Sequence, residues 1–179
     1  MDMRKLGLLI LFSLASLATT AQVNGPLDFG IARHFRISSA SNGLDPGPNG
    51  GSFSISYSFP FKQKFVVKPG IEIGANGISN YALISAGIYH HLNLKSDRFE
   101  LEYGIKMLNG SALFQQQGLY IFGVSEETTF SMLTKKGNTL GLFLELRYIN
   151  APTYSKYSNV SSFIDLNFGL KVGFSLGKI

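Results

Sequence analysis

The side chains best equipped for chemistry are few. His34, His90 and His91 are the only histidines, and Ser158 stands with Asn159 in the stretch "YSKYSNVSS". A serine becomes a nucleophile only beside a base that takes its proton, so the question is which histidine could reach it. His90 and His91 are adjacent, and consecutive residues of a strand point to opposite faces. Their rings therefore cannot share one metal ion. The chain has no cysteine, which excludes thiolate metal sites and disulfides. Glycines such as Gly141 and Gly169 sit in alternating segments with no helix following, so they do not form a phosphate-binding loop. No cofactor is expected.

What must position these residues is a set of strands. From Ile164 to Leu176, in "IDLNFGLKVGFSL", every even position is apolar, and the residues between are polar or glycine. That period of two marks a strand with one greasy face. The same pattern recurs in seven earlier runs: Leu27 to Ile37, Phe53 to Phe61, Phe65 to Ile73, Ala82 to Leu94, Phe99 to Met107, Tyr120 to Met132 and Leu140 to Tyr148. Short connections at "KQK", "KSDR" and "KKGN" alternate with expected longer loops at "SSASNGLDPGPNG", "NGISN", "LNGSALFQQQG" and "NAPTYSKYSNVSS". An even number of strands of about ten residues, joined by short and long connections in turn, is the pattern of a transmembrane barrel.

Composition agrees. The chain is 45% hydrophobic but only 15% charged, below the ~25% of soluble domains. No run after residue 22 is long enough for a spanning helix, so this hydrophobicity belongs to strands. The polar face carries Gly30, Ser54, Ser56, Ser58, Gly104, Gly169 and Gly173, which suit the narrow interior of an eight-stranded barrel. Charges of both signs share it, among them Asp28, Lys68, Glu72, Glu102, Lys106, Glu145, Arg147, Asp165 and Lys171. Mixed charges on an inner face imply a salt-bridged core. Arg33 and His90 fall instead on the outward register, where a bulge or a place near the rim would relieve them. Phe59, Phe61, Phe65, Phe99 and Tyr148 lie near strand ends, as interfacial girdles do.

The first residues, "MDMRKLGLLILFSLASLATTAQ", combine Arg4 and Lys5, an apolar run and the small residues Thr19 and Ala21. These are the parts of a secretory signal, here residues 1–21, and residues 22–179 form the barrel domain. The net charge is +5, and the cations gather in the short turns, where they meet anionic headgroups. No aromatic-interleaved basic face favours nucleic acid.

With these features the chain resembles the small eight-stranded outer-membrane β-barrels of Gram-negative bacteria, the OmpA/OmpX type. The last strand, "FGLKVGFSL", resembles the signal read by the outer-membrane assembly machinery. The resemblance implies an all-β, antiparallel, up-and-down barrel in the cell outer membrane, a monomer whose partners are membrane lipids, lipopolysaccharide and that machinery. "YSKYSNVSS" has a fainter similarity to the His-x-Ser-Asn neighbourhood of outer-membrane lipid A deacylases, with Lys156 where the histidine would stand. It implies Ser158 as nucleophile, and His34 as its base if the first and last strands meet on closure. A non-enzymatic barrel is the leading expectation; a lipid-modifying hydrolase is the alternative.

Overall fold

The computed structural model describes residues 26–39, 49–61, 64–76, 79–94, 96, 98–114, 117–134, 137–152 and 162–175. The expected signal peptide and Ser158 lie outside these residues. The strands are β1 (Pro26–Ser39), β2 (Asn49–Tyr57), β3 (Phe59–Phe61), β4 (Phe65–Asn76), β5 (Ser79–Asn93), β6 (Phe99–Phe114), β7 (Gln117–Leu133), β8 (Thr139–Asn150) and β9 (Ser162–Ser175). β2 and β3 are one strand interrupted at Ser58, for both pair with β4. Every neighbour is antiparallel, and β1 pairs with both β2 and β9. The sheet therefore closes on itself as an eight-stranded up-and-down barrel with no free edge.

The register shows how the barrel closes. Following partners from Asp28 through Ser56, Gly70, Ser85, Leu108, Gly123, Ile149 and Phe163 returns to β1 at Ser39, eleven residues on (39 − 28). One of those residues is absorbed by the bulge between Arg36 and Ser38. The rows of paired residues thus climb, as they circle, away from the end that carries the connections 62–64, 94–98 and 134–138, the tight-turn end, and this is the stagger that tilts the strands.

Alternation is kept almost throughout. Along β9, Asp165, Asn167, Gly169, Lys171 and Gly173 are buried while Phe168, Leu170 and Phe174 are exposed, so the expected phase holds. Ile31, Ile71, Ile84, Ile105, Leu142 and Leu170 are about half exposed and encircle the outside. A belt of that size suits a wall that faces hydrocarbon. Phe61, Phe65 and Phe99 project outward at the tight-turn end. His90 lies there too, its ring centroid 5.0 Å from that of Phe65, which removes it from the middle of the belt.

Two of the expected long loops are strand. β4 and β5 pair up to Asn76↔Ser79, and β6 and β7 up to Phe114↔Gln117, so the connections are 77–78 and 115–116. The alternation of short with long connections therefore fails at "NGISN" and "LNGSALFQQQG". The outward residues Asn109 and Ser111 are polar, which breaks the apolar pattern without breaking the ladder. Strands of 16 and 17 residues are longer than a hydrocarbon band of about 25 Å requires, and their far ends need no apolar outer face.

Candidate functional site: the lumen

The inner face is built from small residues on one wall and long charged ones on the other. Ser52, Ser54, Ser56 and Ser85 leave a narrow polar space beside Lys106, Glu145 and Arg147. Gly104 shows why the small residues are needed. A Cβ there would collide with the ring of Tyr89 and with the carbonyl of Ile88, 2.7 Å away.

Three layers fill the lumen. Nearest the tight turns, Lys68 Nζ donates to Asp28 Oδ2 at 3.1 Å and to Glu102 Oε1 at 2.6 Å. Ser58 Oγ also donates to Asp28, at 3.2 Å, and His91 Nε2 lies 3.1 Å from Glu102. Tyr89 links this layer to the next, with Lys68 Nζ 5.1 Å and Lys171 Nζ 5.8 Å from its ring centroid.

In the middle layer Lys171 pairs with Glu127, and Lys106 bridges Glu127 at 3.1 Å and Glu145 at 2.8 Å. Arg147 Nη2 lies 2.7 Å from Glu145 and 2.7 Å from Glu72, and its Nη1 donates to Glu72 at 2.9 Å. Lys106, Lys171 and Arg147 balance Glu72, Glu127 and Glu145 charge for charge. Arg147 is 2% and Glu145 1% exposed, and charges buried so deeply persist only when paired. Asn167 Nδ2 donates to Glu145 at 2.9 Å, and Thr129 Oγ1 to Glu127 at 3.2 Å.

Toward the far end, Tyr81 donates its hydroxyl proton to Glu72 at 2.8 Å. His34 Nε2 lies 3.0 Å from the Tyr81 hydroxyl oxygen, so with that proton committed to Glu72 the imidazole is the donor to Tyr81. Arg36 Nε donates to Asp165 at 2.9 Å, and its guanidinium lies 4.0 Å over the Phe163 ring. Beyond these, Leu83, Leu119, Ile121, Ile149 and Ala151 form an apolar cluster packed by Tyr81, Ala112 and Phe163.

The expected site residues fare differently. The structure places His34 inside the barrel at 1% exposure, engaged with Tyr81, while its proposed partner Ser158 lies outside the described residues. His90 faces out and His91 in, as adjacent strand residues must. Among the described residues no group of histidine and carboxylate side chains could hold a metal ion. Glu127 is a lumen residue that sequence reasoning missed. The even phase of Phe122, Val124 and Phe130 was the available signal, since it sends residue 127 inward and Glu126 and Thr128 outward.

No family model and no curated protein matches the sequence. Among solved structures, Neisserial surface protein A aligns with a TM-score of 0.68 at 14% identity, covering 85% of this chain and 97% of that one. Ail, the attachment invasion locus protein of Yersinia pestis, aligns at 0.45 with 10% identity, over 86% of this chain and 100% of that one. The outer membrane protein AlkL aligns at 0.42 with 9% identity, over 89% and 95%. The alignment with Neisserial surface protein A, together with the closed strand order, shows the fold of the small eight-stranded outer-membrane barrels, as the sequence resemblance implies; at 14% identity the likeness is one of fold.

Proposed function

We propose that the chain is a non-enzymatic integral protein of the bacterial outer membrane, exported by residues 1–21, whose closed barrel carries its loops at the cell exterior. The reading rests chiefly on one observation: a mostly apolar belt, charged at Arg33 and Glu126, surrounds a lumen filled by ion pairs. Among the described residues such a lumen gives solutes no open path, which favours an anchoring role over transport. The partners are membrane lipids and lipopolysaccharide, which the cations of the short turns and the belt would contact, and the assembly machinery that reads the last strand.

The rival is a lipid-modifying hydrolase using Ser158. Folded protein is incubated with lipid A in vesicles and released acyl chains are sought by mass spectrometry. No release supports the non-enzymatic reading; turnover that vanishes in Ser158→Ala would overturn it.

A further inference from the structure

Two opposite charges stand on the outer face where the belt is otherwise mostly apolar. Glu126 is exposed in the middle of β7, with outward residues Tyr120, Phe122 and Val124 on one side and Thr128, Phe130 and Met132 on the other. Arg33 is exposed on β1, its guanidinium 5.7 Å from the Phe35 ring centroid. Neither makes an ion pair with a described residue. They cannot reach each other within one barrel, because β8 and β9 lie between them.

Their heights correspond. The row through Glu126 crosses Leu146 and Leu166 and meets β1 at Phe35. Rows climb by more than one residue per strand, so three steps put Arg33 about 5 Å farther than Glu126 from the tight-turn end. That offset is within the reach of an arginine. Beside Arg33 the outer surface is also low, for its row continues through Gly51 and Ala75. Small residues let a second membrane-embedded surface approach closely.

We infer that the barrels associate side by side in the membrane, Arg33 of one copy pairing with Glu126 of the next. The occupant of each charged face is a second copy of this chain, because a neighbour embedded to the same depth presents the complementary charge at the matching height. The two faces are three strands apart on an eight-stranded wall, so the contact is head-to-tail and propagates as a row or ring of barrels. Pairing removes two isolated charges from hydrocarbon, where each is costly alone. The inference rests on the membrane reading above, and it replaces the expectation of a monomer.

The test uses the absence of native cysteine. Ile31→Cys and Thr128→Cys, each two residues from its charge on the same face, are combined in one chain and cross-linked in phospholipid vesicles at high lipid excess with a short bis-maleimide, whose arm covers the offset of about 5 Å that a disulfide would not span. A ladder of dimers, trimers and higher species is expected, whereas each single-cysteine variant stops at background dimer. Arg33→Gln or Glu126→Gln should abolish the ladder without impeding insertion, because both make the belt less charged. Arg33→Glu and Glu126→Arg should each abolish it, and their combination restore it. A heat-dependent gel shift monitors insertion separately. Inserted barrels that give no ladder, or a ladder indifferent to the glutamine variants, overturn the association alone; failure to insert overturns the membrane reading with it.

Discussion

Arg147 on β8 and Glu72 on β4 meet through two N–H···O bonds, of 2.9 and 2.7 Å, across the full width of the barrel. In the closed sheet these strands are four apart in either direction, so the pair spans opposite walls. It is both a tie across the lumen and the bar that closes it.

Arg147→Met should therefore destabilise the barrel by about 3–5 kcal/mol, because Glu72 would remain buried without its cation and Glu145 would keep only Lys106. Glu72→Gln should cost less, since its amide oxygen still accepts from Arg147 and Glu145 remains as the counter-charge. Urea unfolding in vesicles, followed by the gel shift, ranks the two; equal midpoints would contradict the arrangement.

Planar-bilayer recordings of the native protein should show no large, steady conductance. Glu72→Ala combined with Arg147→Ala removes the cross-lumen bar and should raise the leak. A stable porin-like channel in the native protein would contradict the packed lumen described above.

Gly104→Ala should destabilise by about 1–3 kcal/mol through overpacking against Tyr89 and the Ile88 carbonyl. Tyr89→Ala removes the ring but not the carbonyl, so the double variant should recover part of the loss. Strict additivity in that cycle would mean that Gly104 and Tyr89 do not compete for space.

The register of β9 is open to direct measurement. Single cysteines at 167 through 174, labelled with a fluorophore and exposed to a lipid-phase quencher, should be quenched at even positions and shielded at odd ones. Leu170→Arg, which places a charge on the belt, should cost about 2–4 kcal/mol near the midplane. Reversed phase or no period would refute the assignment.

The sequence by itself determined the strand period, the number of spanning strands and which face of β9 is greasy. Each of these follows from where apolar residues recur, and that information is local. It also marked most of the lumen charges, since Lys68, Glu72, Glu145 and Arg147 occupy the polar phase. Only the tertiary structure decided which charges meet. Arg147 chooses Glu72 from 75 positions away because closure and stagger place β4 opposite β8, and no spacing along the chain encodes that distance. The far ends of β6 and β7 were hidden for a related reason. Beyond the hydrocarbon the outer face need not be apolar, so the backbone ladder continues where the sequence pattern stops. The same closure sends Glu127 into the ion-pair network and leaves its neighbour Glu126 on the belt.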